Sequence, residues 1–177
     1  MTPPVEVYTA GGIASGTVVP AGAIHAQLER GGSLRLDDVG WIPIGGPSAR
    51  AGGRTVIAID DIVLAHDPGD AELAIHAMWH PVLLDAGPYR IRGELPTLPG
   101  FDPGRALTRP SGTFVRLRDV RVELRDRPEA GATERPALFV NRYEVDRVQA
   151  GPMLGFFFPG AIIEEARDVE PVNHTAG

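Results

Sequence analysis

Hydrophobic positions in this chain alternate over short runs, and glycine or proline closes nearly every run. A period of two puts every second side chain on one face of a strand, whereas a period near four marks a helix. The pattern predicts strands at 5–9 and 13–19, with Gly11-Gly12 between them, an extended stretch at 33–44 and an apolar strand region at 54–65. Ile24 and Leu28 lie four apart within 21–30, which predicts one helical turn ended by Gly31-Gly32. The second half follows the same order. It reads as an extended stretch at 71–85, a strand at 89–95, and a loop into a short turn at 105–109, where Leu107 takes the place of Leu28. A strand at 114–124, a polar loop at 126–136 and a strand region at 136–148 complete it.

The order repeats because the residues repeat. Pro4 precedes Val5-Glu6-Val7 and Pro81 precedes Val82-Leu83-Leu84; Gly16 and Gly93 each follow their proline by twelve residues. Arg35-Leu36-Asp37-Asp38-Val39 answers Arg116-Leu117-Arg118-Asp119-Val120. A long internal period predicts tandem copies of one small folding unit. Apolar side chains in the shared element sit at Leu34, Leu36, Val115 and Leu117, and then change parity to Val39, Trp41, Val120 and Val122. In a flat strand that change would send half of them to the wrong face. A bulge at Asp38 and Asp119 restores register, with each carboxylate holding local backbone N–H groups. The predicted fold is therefore all-β: two tandem, similar β-barrel units of SH3, Sm or OB size, packed with pseudo-two-fold symmetry, each with one short helical turn. The units span 1–68 and 69–150, followed by an apolar then polar C-terminal tail at 151–177. Gly16 should superpose on Gly93, Leu36 on Leu117, Asp38 on Asp119, and Ile59-Asp60 on Val140-Asn141. Leu36, Val39, Ile59, Leu117, Val120 and Val140 should be core. The spacing of Gly93, Asp119 and Val140-Asn141 is similar to the Sm pattern. The glycine-bearing final motif of Sm proteins is missing, and no family is assigned.

Composition fits this picture. The 177 residues are 43% apolar, with 22 glycines and 17 prolines, which suits short strands and many turns better than helices. Cysteine is absent, so disulfides, thiolate nucleophiles and cysteine-held zinc are excluded. No apolar run reaches the length of a membrane span, and the N-terminus lacks the pattern of a signal peptide, so a cytoplasmic location is expected. All 17 cations are arginine, which points to the codon bias of a high-GC bacterium. The net charge of −6 lies in the first half, whereas 90–127 is locally basic.

Candidate chemistry is sparse. His76 and His80 lie four apart, but Ala77 follows the first and Pro81 stops the element, so the helical zinc pattern is incomplete. The alternation of Leu73, Ile75, Ala77 and Trp79 favours a half-buried strand. Asp37-Asp38 and Asp60-Asp61 are adjacent pairs, which point to opposite strand faces and do not converge on one substrate. No catalytic residue, metal ligand or cofactor is assigned. Arg116, Arg118, Arg121 and Arg125 form a candidate anion-binding strand, although the parity change divides them between faces. Leu154, Phe156, Phe157 and Phe158 make the tail the leading candidate for partner binding or self-association. The expected function is a non-catalytic binding or scaffold module acting through protein–protein contacts. Its rivals are an anion or nucleic-acid binder using the arginine strand, and a small metal-dependent enzyme using the His76/His80 region.

Overall fold

The computed structural model describes residues 4–47, 49–50, 52–69, 77–97, 112–151 and 154–165. The fold is mostly β. The first half comprises β1 (Val5–Thr9), β2 (Gly12–Val19), α1 (Ile24–Arg30), β3 (Ser33–Pro43), β4 (Ala49–Arg50), β5 (Thr55–Ala58) and β6 (Ile62–His66). The second comprises β7 (Met78–Ala86), β8 (Tyr89–Thr97), β9 (Phe114–Leu124), β10 (Ala132–Asn141) and β11 (Val145–Ala150). A short β12 (Ile162–Glu165) follows. Three-residue 3-10 turns lie at Ile59–Asp61, Pro128–Ala130 and Gly155–Phe157. The expected second helical turn, with Leu107, lies outside the described residues.

All twelve strands join one hydrogen-bonded sheet with the order β12-β11-β7-β8-β9-β10-β6-β1-β2-β3-β4, and β5 pairs with β3 beside this path. The described strands form one open path not closed into a barrel, so the structure does not separate into the two tandem barrel units expected from the repeat. The reason lies in β6. It pairs with β1 of its own half on one side and with β10 on the other, at Phe139 opposite Ala65 and Val140 opposite Leu64. A strand with neighbours on both edges and cover on both faces should be apolar throughout, and every residue of β6 is buried. Its side chains divide between two cores. Ile62 and Ala65 join a cluster built mainly from the first half, with Leu34, Leu36, Val39 and α1's Ile24 and Leu28. Val63 and Leu64 join one built mainly from the second half, with Leu84, Ile91, Leu117 and Val140. Phe114 and Phe139 cross into the first cluster and Tyr8 into the second, so neither core is complete without the other half.

The parity change has the predicted cause. Asp38 and Asp119 have φ of 54° and 51°, and they are the non-glycine residues with positive φ among those described. Aspartate tolerates this left-handed conformation better than most residues. Opposite them, the β2–β3 ladder shifts between Ser15 and Thr17, and the β8–β9 ladder between Arg92 and Glu94. Gly16 and Gly93 sit at these shifts. A Cβ on Gly16 would lie 2.8 Å from the Asp37 carbonyl oxygen, and one on Gly93 would lie 3.2 Å from that of Arg118. A side chain at Gly16 would collide with the crossing strand, and one at Gly93 would make a tight contact with it. All six expected core residues, from Leu36 to Val140, are buried.

One expected correspondence moves by two residues. Ile57 faces Leu34 across β5–β3, and Val140 faces Val115 across β10–β9. Register therefore matches Val140-Asn141 with Ile57-Ala58, not with Ile59-Asp60. The two apolar–polar dipeptides look alike in sequence, but Ile59-Asp60 already belongs to the 3-10 turn.

Candidate functional site

The first-half end of the sheet carries an open edge. Among the described residues β5 pairs only with β3, so the N–H and C=O groups of its outer edge face away from the ladder. The strand is uncharged, Thr55-Val56-Ile57-Ala58, with Ile57 buried and Val56 57% exposed. A groove of about 500 Å³ lies alongside. It is lined by Thr9-Ala10-Gly11 of the β1–β2 turn, Trp41, all of β5, Asp60, Asp61, Val63, and Glu144 just before β11. Trp41 fits there because the turn is glycine: a Cβ on Gly12 would lie 2.8 Å from its ring. Its lining thus combines three acidic residues with mainly apolar and small ones. Nearby, Arg54 chelates Asp37 with bonds of 2.8 and 3.4 Å. That hydrogen bond holds the Asp37 carboxyl below its ordinary value.

The seam between the halves is built differently. Arg135 on β10 donates to both oxygens of Glu6 on β1, at 2.9 and 2.7 Å, reaching across β6. Burial alone would raise the Glu6 pKa, but the Arg135 hydrogen bonds and charge, with the Tyr8 hydroxyl at 3.0 Å, bring it below its usual value. Tyr8 meets Tyr89 edge-to-face, with centroids 5.5 Å apart, and the Tyr89 hydroxyl donates to Thr9 O at 2.7 Å. Burial is the main cause that raises both phenol pKa values. His66 is buried and its Nδ1–H donates to Ala137 O at 2.9 Å, while Asn141 Nδ2 donates to Ile62 O at 3.0 Å. From α1, Glu29 accepts from the backbone N–H groups of Thr113 and Phe114, and His25 stacks on Phe139. These groups lock the two halves together, and each has a structural task.

The arginines of β9, and Arg125 just after it, meet different partners. Arg118 donates to Glu94 at 2.6 Å and lies over the Trp79 ring at 4.0 Å. Arg121 faces Glu134 at 3.8 Å, and Arg125 approaches Asp85 at 3.7 Å and Asp146 at 3.5 Å. Arg116 lies over Phe139 at 5.7 Å. Asp85 itself is chelated by Arg90 at 2.8 and 3.0 Å, and that bond, more than any other cause, lowers its pKa. Arg118, Arg121 and Arg125 thus each have a carboxylate within 4 Å, supplied by Glu94, Glu134, and Asp85 with Asp146.

The tail folds back on its own chain. Leu154 and Phe158 are buried in the second core and Phe157 is half-buried against it, whereas Phe156 is 43% exposed. Buried Arg142 fixes the turn by donating to Phe157 O at 2.5 Å and to Gly112 O at 2.8 Å. After the turn, β12 pairs in parallel with β11, Val148 opposite Ile163. Of the histidine pair, His76 lies outside the described residues, and His80 Nε2 shares a hydrogen bond of 2.8 Å with Thr97 Oγ1. Among the described residues no three metal-ligating side chains cluster, and no helix is long and apolar enough to cross a membrane.

Sequence reasoning missed the β5 groove. Thr55-Val56-Ile57-Ala58 reads as an ordinary strand, and only the sheet order makes it an edge. The one signal available was the lack of any charge on it, since edges are usually protected by charged residues or proline. Comparison of the chain with protein-family models, with curated proteins and with solved structures gives no match.

Proposed function

We propose that this protein is a non-catalytic binding module, built from two similar β halves, that takes an extended protein segment as an added strand on β5. The observation that supports this most directly is the exposed, uncharged β5 edge beside a groove that combines acidic residues with mainly apolar and small ones. Strand addition draws affinity from main-chain hydrogen bonds and specificity from the pockets that alternate side chains enter. Each backbone bond contributes about 0.5–1.5 kcal/mol net, and covering Val56 and its visitor about 1.5–3 kcal/mol per fully buried side chain. A four-residue pairing is therefore weak unless the groove takes a side chain as well. The acidic residues favour a segment carrying Arg or Lys next to its apolar positions.

The test is site-specific photocrosslinking in cells that express the native chain. A photoreactive residue replaces Val56 in one sample and Tyr143, a similarly exposed residue elsewhere, in another. A discrete crosslinked protein at position 56 and none at position 143 is the expected result. Equal products at both positions, or none at position 56, would remove the strand-addition reading.

A further inference from the structure

The two halves use their last long strands differently. Register equates β11 with β6, because Val148 faces Leu84 on β7 as Ala65 faces Val7 on β1. The other edge of β6 pairs with β10, Phe139 opposite Ala65 and Val140 opposite Leu64. On β5, Val56 and Ile57 hold the places of Phe139 and Val140. The repeat therefore assigns Val56 to Val148 and Ile57 to Arg147. In the structure those two residues of β11 face Ile163 and Ile162 of β12. β12 thus occupies the stretch of edge that the repeat would give to β5. β5 itself is close at hand: Thr55–Ala58 and Glu144, the residue before β11, line one groove of the same molecule.

We propose that β5 and β12 are alternative neighbours of the β11 edge within one chain. With β12 seated, β5 is open to a partner strand; with β12 displaced, β5 pairs with β11 and the site closes. This rests on the strand-addition reading of β5 and gives its regulation. One new pairing is enough to complete a circuit. The ladder β3-β2-β1-β6-β10-β9-β8-β7-β11 is continuous and β5 already pairs with β3, so β5 on β11 closes a ring of ten strands. Neither neighbour is strongly held. β12 is four residues long, its Ile162 and Ile163 are 60% and 46% exposed, and it pairs with β11 alone among the described strands. Its polar anchor is Glu164, which bonds Arg147 at 3.0 Å and Gln149 at 2.9 Å. β5 would gain burial on β11, since Val56 is exposed whereas Phe139 in the equivalent place is buried. It lacks the clamps of the internal seam, however: Glu6 corresponds to Leu83, Arg135 to Gly52 and Asn141 to Ala58. The Glu164 anchor therefore tips the balance to β12 and keeps the β5 edge available.

The experiment uses the full chain, which has no native cysteine, carrying Val56→Cys/Val148→Cys. A disulfide between them needs Cα atoms about 4.4–6.8 Å apart, as when β5 lies beside β11. β12 is weakened in two ways. Ile162→Pro/Ile163→Pro removes its ladder donors; Glu164→Arg sets a like charge against Arg147 and carries the test if the prolines disturb folding. Non-reducing gels and thiol titration follow oxidation of the monomer. Weakening β12 should speed the intramolecular disulfide about ten- to a hundredfold, the effect of losing a hydrogen bond to a charged group. In the same backgrounds without the cysteines, a photoreactive residue at position 56 should lose most of its crosslinked partner. The proposal is overturned by an unchanged disulfide rate in folded Glu164→Arg protein, by disulfides that form only between molecules, or by equal partner capture with β12 intact and weakened. If the disulfide accelerates while position 56 captures no protein in the intact chain, the strand exchange stands and the strand-addition reading falls.

Discussion

Val56 on β5 and Phe139 on β10 hold the same place in register, yet one is 57% exposed and the other 4%. Both lie on strands that pair on one side with the long bent strand of their half. The difference is the other side. β10 meets β6, and Phe139 enters the first-half core and stacks on His25; β5 meets no described strand. The residues follow their neighbours: a large aromatic ring where there is a core to fill, and a smaller aliphatic side chain where there is an edge. Exposure of a strand residue is thus set by sheet order, not by the strand's own pattern.

The sharpest way to test that contrast is to truncate both side chains. Phe139→Ala should destabilise by about 3–5 kcal/mol through lost burial and a cavity between the halves. Val56→Ala should stay within about 0.5 kcal/mol. Urea melts of the two variants decide it, and similar losses at both sites would show that β5 is covered in solution. The next effect concerns the bulges. Gly16→Ala should cost about 1–3 kcal/mol by overpacking, and Gly93→Ala less, because the backbone oxygen it approaches is farther away, at 3.2 rather than 2.8 Å. Thermal melts giving the reverse order would show that the β8–β9 crossing is the tighter one.

The seam also makes a pH prediction. The Glu6 pKa is lowered in the folded protein, so its contribution is fully present above the ordinary glutamate value of 4.5 and fades as pH falls through the folded value. Glu6→Gln should cost about 1–2 kcal/mol near neutral pH, in line with hydrogen bonds to charged groups, and should flatten part of the acid limb of stability. Urea midpoints measured from neutral to acidic pH check this; an unchanged acid limb would mean that Arg135 supports the seam without its partner's charge. The smallest effect is expected at the bend residues. Asp119→Gly should change stability by less than about 1 kcal/mol, because glycine accepts positive φ, whereas Asp119→Val should cost about 1–2 kcal/mol. Equal effects of the two would place the role of Asp119 in its carboxylate and not in its backbone.

Much of the construction was legible in the residues because it is local. The parity change around Asp38 and Asp119 marked a bend, and both residues carry positive φ. Leu36, Val39, Leu117 and Val120 marked the core side of the repeated element, and all four are buried. Ile24 and Leu28 marked α1 and are its buried residues. The candidate site was less legible. Leu154, Phe156, Phe157 and Phe158 stood out by composition, but composition cannot distinguish an aromatic that seals its own core, such as Phe158, from one that faces solvent, such as Phe156. Arg118, Arg121 and Arg125 looked like a cationic strand because their carboxylate partners Glu94, Glu134 and Asp85 come from other strands.

The sequence by itself determined the strands, the bends between them and the residues that must be buried. These follow from side-chain period, from the glycine and aspartate that tolerate unusual backbone, and from the drive to remove apolar surface from water. Only the tertiary structure decided that β6 would pair with β10, that β12 would cover β11, and that β5 would be left beside an open groove. A strand's edge is backbone, chemically alike at every residue, so the choice of neighbour is written in no local pattern and emerges only when both cores are filled together.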